Sequence, residues 1–318
     1  MAFPKAIEIN EEGPREGFQI ERKHYPLAAR AAVVDALSET GLSKIQVASF
    51  VSPKAVPTMA DAAELFAAIK KKPGVTYTPL YLNAKGFERA RQVSEVDMEG
   101  RIHFYTTDQF ALQNNNRPAA QVRDDQIAMI DLCVEHGVPL EGAYIMTAFG
   151  CNLTGEVPLS AITDLALWTA EQCRVRQMPL PTIVLADTVG WASPDDVKRR
   201  VNAVREVLPA ARIGLHLHDT RGLGIANVYA ALEEGVDFFE GSVAGLGGCP
   251  FAGHGDAMAA GNEATEEVVF LAQELGIETG IDLDALIDAA LLAEKTIGRS
   301  LNGRLMHGGS LSRYRGRH

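Results

Sequence analysis

Short apolar runs alternate with longer amphipathic segments along most of the chain, and this alternation is its main structural signal. The apolar runs are rich in Val, Ile, Tyr and Thr, which favours buried strands. The predicted strands are Ala6–Asn10, Lys44–Phe50, Val75–Leu82, Arg101–Thr107, Leu140–Ala148, Thr182–Thr188, Ile213–His218 and Phe238–Ala244. The segments between and after them have apolar residues at helical spacing. The predicted helices are Leu27–Glu39, Met59–Lys72, Lys85–Val96, Arg117–His136, Leu159–Gln177, Pro194–Leu208, Leu223–Glu234, Glu263–Leu275 and Leu283–Ile297.

Eight strand–helix repeats of this length predict an α/β fold, the (β/α)8 TIM barrel. A doubly wound sheet would have fewer strands and a glycine-rich dinucleotide turn after strand one, and Gly13–Gly17 is not such a turn. No linker rich in Pro, Gly or Ser divides the chain, so we expect one barrel domain over residues 1–298. Leu283–Ile297 is expected to be an extra C-terminal helix and residues 299–318 a C-terminal tail, whose basic end, residues 312–318, is expected to be frayed.

Composition and charge narrow the possible partners. The 318 residues are 47% hydrophobic and carry a formal net charge of −11, which argues against nucleic acid and an anionic membrane as main partners. No apolar run approaches the roughly 18 residues that cross a bilayer, and the N-terminus lacks a targeting pattern. We therefore expect a cytoplasmic protein. The cysteines, at positions 133, 151, 173 and 249, form no Cys-x-x-Cys unit, which argues against disulfides and structural zinc.

The pair His216 and His218 is the most informative feature for function. Residues two apart on a strand point to the same face, so both imidazoles can reach one metal ion. The pair ends strand seven, and active sites of TIM barrels lie at the carboxyl ends of the strands. The alternative is a pair of hydrogen-bonded core histidines.

Other strand ends carry further polar side chains. The candidates are Arg15, Glu16 and Gln19 after strand one, Gln46 on strand two and Asp187 at the end of strand six. Arg15 beside Glu16 is typical either of a metal or anion site or of a surface ion pair. Gln46 is polar among apolar strand residues, so we expect it to point into the barrel. The asparagine run 114–116 is expected to be a plain loop.

A glycine-rich segment, Val243–Pro250, follows strand eight and contains Cys249. Such a loop suits a lid that brings a thiol to a bound substrate, although a flexible loop with an incidental cysteine is the alternative. Asn262 follows this loop. A larger set, Glu16, His216, His218 and Asn262, offers two oxygens and two imidazoles, which suits octahedral Mg²⁺ or Mn²⁺. Zinc is less favoured without a thiolate ligand.

Five motifs closely resemble those of the 3-hydroxy-3-methylglutaryl-CoA lyase family of TIM-barrel metallolyases. They are GPREGFQ at 13–19, ASFVSPK at 48–54, HLHDT at 216–220, SVAGLGGCP at 242–250 and GNEATE at 261–266. The resemblance extends from about residue 6 to residue 298. The glycine-rich cysteine loop separates the lyases from the related Claisen-condensing synthases.

The resemblance implies roles for these residues and a homodimer that acts on an acyl-CoA substrate. The implied metal ligands are Glu16, His216, His218 and Asn262, with Arg15 as the catalytic arginine and Cys249 as the lid cysteine. Three departures stand out. Glu16 replaces the family aspartate, Gln46 replaces a family glutamate and removes a charge near Arg15, and the loop from Cys249 to Asn262 is longer than in the lyase.

The implied reaction is retro-aldol, Claisen-type cleavage of a 3-hydroxyacyl-CoA to acetyl-CoA and a keto acid. His216 or a bound water would be the base, Arg15 would stabilise the enolate, and Cys249 would protonate it. Gln19 and Asp187 would orient these groups. The departures predict a substrate other than hydroxymethylglutaryl-CoA, of citramalyl type or with a longer 3-alkyl group. The alternatives are a condensing enzyme or aldolase acting on 2-oxo acids, and a non-catalytic acyl-CoA-binding relative.

Overall fold

The computed structural model describes residues 3–248 and 261–315. Its strands lie where the apolar runs predict them, although all eight are shorter. They are β1 Glu8–Glu11, β2 Lys44–Ser49, β3 Thr76–Leu80, β4 Gly100–Tyr105, β5 Leu140–Met146, β6 Thr182–Ala186, β7 Ile213–His216 and β8 Phe238–Gly241. Strand β7 thus ends at His216, and His218 lies two residues beyond it in an isolated antiparallel bridge with Asn262.

The eight strands form one parallel sheet in the order β3-β2-β1-β8-β7-β6-β5-β4. Strands β1 and β8 are neighbours, so the first and last loops of the sheet lie side by side. The sheet curls with helices outside it, which confirms the predicted α/β fold of TIM-barrel type.

The seam between β3 and β4 differs from the rest of the sheet, because no strand pairing joins these two strands in the described residues. Side chains fill part of this role. The Tyr81 hydroxyl donates to the Glu99 carbonyl at 2.6 Å, and the His103 amide donates to Gln126 Oε1 at 3.1 Å. Gln126 comes from a helix outside the sheet. One backbone bond, from the Asp97 amide to the Tyr77 carbonyl at 2.9 Å, and the Tyr81 side chain therefore bridge this seam in place of a continuous backbone ladder.

Helices follow each strand and cover the outside of the sheet. They are α1 Gly13–Ile20, α2 Leu27–Ser38, α3 Ala62–Ala68, α4 Ala84–Arg91, α5 Asp108–Asn115, α6 Ala119–His136, α7 Leu159–Arg176, α8 Pro194–Val207, α9 Gly224–Glu233, α10 Thr265–Glu274, α11 Leu283–Ile297 and α12 Leu305–Gly308. Helix α6 begins after Pro118, which lacks the amide that an interior position would use. The predicted asparagine loop is wrong in part, because Asn114 and Asn115 end helix α5 and Asn116 caps it with φ of 58°.

The C-terminal residues up to 315 pack against the barrel, so the expected fraying is wrong for residues 312–315. Met306 is buried. Ser310 Oγ donates to Asp284 at 2.5 Å, and Arg315 forms two 2.7 Å bonds to the Glu274 carboxylate. Among the helices in the described ranges, none has both the length and the apolar composition that crossing a bilayer requires.

Candidate active site

Arg15 and Glu16 lie on helix α1, which follows β1 directly, and not in the loop that the sequence predicts. Pro14 occupies the first turn of this helix, a position that tolerates the missing amide. Gly13 is required there because a Cβ would lie 2.6 Å from Glu11 Oε1. The short turn carries both charged side chains over the carboxyl ends of the strands. Both are buried, with 9% and 8% of their surfaces exposed.

The two histidines face each other at the barrel mouth, as the sequence predicts. His216 Nε2 and His218 Nε2 are 3.0 Å apart, and both side chains are buried. Glu16 Oε1 lies 3.5 Å from His218 Nε2. One ligand atom from each of these three residues lies within 4.8 Å of the others. The strand ends therefore bring a carboxylate and two imidazoles to one point.

This arrangement fits a divalent cation. Two nitrogen ligands about 2.1 Å from one ion and at right angles to each other would lie about 3.0 Å apart. The Asn262 side chain is also buried, and neither its Oδ1 nor its Nδ2 has a hydrogen-bond partner. Buried amides without partners are rare, so an oxygen left free beside His218 is suited to complete a ligand set. Glu16, His216, His218 and Asn262 thus fit the metal role that the sequence predicts.

Glu240 fixes the orientation of His216. The two residues are register partners on β8 and β7, and Glu240 Oε2 lies 2.7 Å from His216 Nδ1. The other oxygen accepts bonds from Tyr144 Oη at 2.5 Å, Asn10 Nδ2 at 3.0 Å and Arg101 Nη1 at 3.1 Å. A carboxylate that holds one imidazole nitrogen directs the other toward a metal.

The charges of this network shift the pKa values of its members. Burial alone would raise the pKa of Glu240, but the hydrogen bond to His216 and the charge of Arg101 hold it well below its usual range. Burial opposes the charge of His216, yet Glu240 and Glu16 raise its pKa to about 9. Burial and the neighbouring Arg101 lower the pKa of His103 to about 3. His103 is therefore neutral beside a strongly charged network.

Arg15 has three oxygen partners. Its Nε donates to Gln46 Oε1, and its Nη2 contacts Glu12 Oε2 at 2.5 Å and Glu16 Oε2 at 3.2 Å. Gln46 therefore lies at Arg15, and its neutral amide brings no charge to the guanidinium. The missing carboxylate is balanced by Glu12, at the start of helix α1. Burial and Glu240 raise the pKa of Glu12 to about 7.

Gln19 and Asp187 occupy different surroundings. Gln19 borders the cavity at the barrel mouth, and its Oε1 accepts a bond from Ser49 Oγ at 2.8 Å. Asp187 accepts the amides of Trp191 at 2.6 Å and Ala192 at 3.0 Å, so its carboxylate shapes the loop after β6. Burial raises the pKa of Asp187. Cys249 lies outside the described residues.

The barrel-mouth cavity has a volume of about 260 Å³. Its lining includes Arg15, Glu16, His216 and His218 together with Leu80, Leu82, Phe110 and Met146. One wall is therefore polar and ionic, and the other is apolar. Sites that take small organic acids or thioesters have this character.

Sequence analysis did not identify several residues of this network, namely Asn10, Glu12, Arg101, Tyr144 and Glu240. The signal that identified Gln46, a polar side chain at an inward position of an apolar strand, also applies to Arg101 and Glu240. Tyr144 is a common strand residue, and its role follows only from its contact with Glu240.

The protein is a parallel α/β barrel that carries a carboxylate and two histidines at the carboxyl ends of its strands. These features place it in the class of barrel enzymes with a candidate metal site. The comparisons narrow this class. The HMGL-like family model matches residues 6–292. The chain therefore belongs to the HMGL-like family, and it is a carbon–carbon lyase.

Relatives match nearly the full length of the chain. The 3-hydroxy-3-isohexenylglutaryl-CoA/hydroxy-methylglutaryl-CoA lyase of Pseudomonas aeruginosa is 38% identical, over 96% of this chain and 97% of that protein. The mitochondrial hydroxymethylglutaryl-CoA lyase of Gallus gallus is 34% identical, over 96% and 98%. An HMG-CoA lyase structure from Acinetobacter baumannii, in complex with coenzyme A and 3-methylmalate, has a TM-score of 0.86 and 33% identity, covering 98% of each chain.

Proposed function

We propose that this protein cleaves a 3-hydroxyacyl-CoA thioester to acetyl-CoA and a keto acid in a reaction that depends on Mg²⁺ or Mn²⁺. The observation that carries this proposal is the convergence of Glu16, His216 and His218 within ligand distance beside the buried Arg15. The lyase activities of the relatives and the coenzyme A complex of an HMG-CoA lyase support the same reaction class.

The candidate ligands Glu16, His216, His218 and Asn262 would hold the ion. When bound, a divalent cation would polarise the substrate hydroxyl and lower its pKa. In the cleavage step a base removes the hydroxyl proton and the C2–C3 bond breaks. The bonding electrons move onto the thioester as an enolate, and the keto acid leaves. Arg15 would stabilise the enolate oxygen by charge. Cys249 remains the proposed proton donor to the enolate carbon.

His216 is better suited to the ligand role than to the base role. Its Nδ1 bonds to Glu240, and its Nε2 faces His218 Nε2. Neither nitrogen is free to take the hydroxyl proton while both contacts persist. The proton therefore goes to a bound water, the second possibility that the sequence leaves open. Gln19 borders the cavity and would help to orient the substrate, whereas Asp187 would act through the loop that it shapes.

The favoured substrate has a 3-substituent longer than methyl. A second cavity of about 380 Å³ lies at the seam between β3 and β4. We call it the seam cavity, and it shares Leu82, His103 and Tyr105 with the barrel-mouth cavity. A substituent that leaves the barrel mouth past Leu82 would therefore find space at the seam. The isohexenylglutaryl thioester of the Pseudomonas relative has a substituent of this kind.

A steady-state assay over a thioester panel tests this proposal. The panel contains hydroxymethylglutaryl-CoA, a citramalyl-type thioester and 3-hydroxyglutaryl thioesters with longer 3-alkyl groups. The metal-loaded protein is expected to give the highest kcat/KM on a longer 3-alkyl member. Highest activity on hydroxymethylglutaryl-CoA would contradict the substrate assignment. Release of free thiol from acetyl-CoA and a 2-oxo acid, without C2–C3 cleavage of any panel member, would indicate a condensing enzyme instead.

A matched pair of variants tests the path past Leu82. Leu82→Trp fills the junction of the two cavities, and Leu167→Trp adds the same bulk on helix α7. The two leucines are 42% and 43% exposed. Leu82→Trp is expected to lower kcat/KM for the longer thioester at least tenfold more than for hydroxymethylglutaryl-CoA, and Leu167→Trp to leave both unchanged. An equal loss on both thioesters would contradict the seam assignment.

The homodimer and the cytoplasmic location that the sequence suggests remain predictions. Light scattering of the purified chain tests the first. Imaging of the tagged full chain tests the second.

A further inference from the structure

The guanidinium of Arg15 is buried and needs a carboxylate partner. An unpaired charge at such a depth would be costly, so its partners determine whether it stays in position. Gln46 is fully buried and accepts the Nε proton, but it carries no charge. Glu16 lies 3.2 Å from Nη2, but its other oxygen faces His218. Glu16 therefore has to serve the ligand set as well as the arginine.

Glu12 is more distant from the ligand set than Glu16 is, since its Oε2 lies 3.9 Å from His216 Nδ1. Its side chain is 98% buried, and its Oε2 contacts Arg15 Nη2 at 2.5 Å. Its Oε1 accepts bonds from Arg101 Nη1 at 2.7 Å and from Asn10 Nδ2 at 3.3 Å. Both oxygens are thus held, and the carboxylate has a fixed orientation.

The positive charge of Arg101 stabilises the two neighbouring carboxylates, Glu12 and Glu240. Its Nη1 reaches both Glu12 and Glu240, and its Nε donates to Glu99 at 2.6 Å. Without this buried cation, Glu12 and Glu240 would repel each other close to His216. With it, a carboxylate can remain beside Arg15 even though strand β2 offers only an amide.

We infer that Glu12 is the positioning residue that holds Arg15 in its catalytic orientation, in place of the carboxylate that strand β2 lacks at Gln46. This inference rests on the proposed function, because Arg15 is the group assigned to the enolate. The role inferred for Glu12 is exercised through Arg15, although Glu12 also borders the barrel-mouth cavity. The carboxylate partner thus comes from the turn after β1 rather than from strand β2, and Arg15 has one amide partner, Gln46, and two carboxylate partners, Glu12 and Glu16.

Relocating the charge tests the inference. Glu12→Gln removes the carboxylate, and the double variant Glu12→Gln/Gln46→Glu returns it to the other side of Arg15. Glu12→Gln is expected to lower kcat about 100-fold, the effect of a misplaced catalytic group, with KM changed less than threefold. The double variant is expected to recover at least tenfold of that loss. Glu99→Gln is the matched control, since it removes another buried carboxylate from Arg101, and its kcat should stay within threefold of wild type.

Two results would overturn the inference: a Glu12→Gln enzyme with kcat within threefold of wild type, or a double variant no faster than the single one. A loss of folding alone cannot produce the rescue. If the wild type cleaves no thioester, the proposed function fails, and crystal structures of the variants then decide the inference. The guanidinium should move in Glu12→Gln and return in the double variant. An unmoved Arg15 in Glu12→Gln would contradict the positioning role.

Discussion

Glu240→Gln is expected to weaken metal binding although Glu240 is not a ligand. The Glu240 carboxylate lies 2.7 Å from His216 Nδ1, so it selects the tautomer whose Nε2 lone pair faces His218 and Glu16. A glutamine amide has no charge, and its NH2 group cannot accept a hydrogen bond from Nδ1–H. The loss of such a partner typically costs 10-fold to 100-fold in metal affinity, which is about 1.4 to 2.7 kcal/mol.

The assay is a calorimetric titration of chelator-treated protein with Mn²⁺ at fixed pH, with near-ultraviolet circular dichroism as a check on folding. Tyr144→Phe is the matched control. It removes one hydrogen bond to Glu240, at 2.5 Å, and keeps the carboxylate on His216. We expect this control to change the Kd less than threefold. A Glu240→Gln protein whose Kd stays within twofold of wild type would refute the reasoning, as would an equal loss in the control.

Three further predictions concern stability and the loops near the site. Burial raises the pKa of Glu266 to about 8 from its ordinary value of 4.5, so the folded protein keeps a proton that the unfolded chain loses. The wild type should therefore lose stability relative to Glu266→Gln as the pH rises from 4.5 to 8, by about 5 kcal/mol at most. Urea denaturation of both proteins at pH 5 and pH 8 measures this, and the same difference in unfolding free energy at both pH values would contradict it. Asp187→Asn weakens the hydrogen bonds to the Trp191 and Ala192 amides, so it should lower the free energy of unfolding by about 1 to 3 kcal/mol and change kcat less than tenfold. A large loss of kcat at unchanged stability would instead support a direct orienting role for Asp187. In Gly261→Ala, the new Cβ would lie 2.8 Å from the Leu246 carbonyl oxygen, so the free energy of unfolding should fall by about 1 to 3 kcal/mol. Thermal unfolding measures this loss, and an unchanged Tm would show that the two segments can separate freely.

The barrel and its ligand pair could be predicted because both depend on local periodicity. Short apolar runs marked the strands, and the i, i+2 spacing predicted that His216 and His218 would face one point, which they do although His218 lies beyond the end of β7. Helix α11 was predicted with the bounds observed, Leu283–Ile297, because its apolar spacing is regular and Gly298 ends it in the left-handed region with φ of 78°.

Helix α1 was not predicted because it is short, and tertiary contacts rather than apolar spacing stabilise it. Its first six residues, Gly13–Phe18, are buried, including two charged ones, which no amphipathic pattern indicates. Pro14 at its first turn was the one local signal.

The partners of Arg15 and His216 could not be predicted from one sequence because they depend on strand register. Asn10, Glu240 and His216 lie at one level across β1, β8 and β7, although more than 200 residues separate the first from the other two. The change at Gln46 was visible in the sequence, and its compensation by Glu12 was not. Only the fold shows that the turn after β1 carries Glu12 to the opposite side of the same guanidinium.

The most direct test of the central claim is whether thioester cleavage requires the ion. Chelator-treated protein, with and without added Mn²⁺, is incubated with a 3-hydroxy-3-alkylglutaryl-CoA thioester, and the products are identified by proton NMR. We predict acetyl-CoA and the corresponding keto acid in equal amounts, formed only when the ion is present and lost in His218→Ala. Cleavage of equal rate without the ion, or no acetyl-CoA from any thioester with the ion bound, would contradict the account.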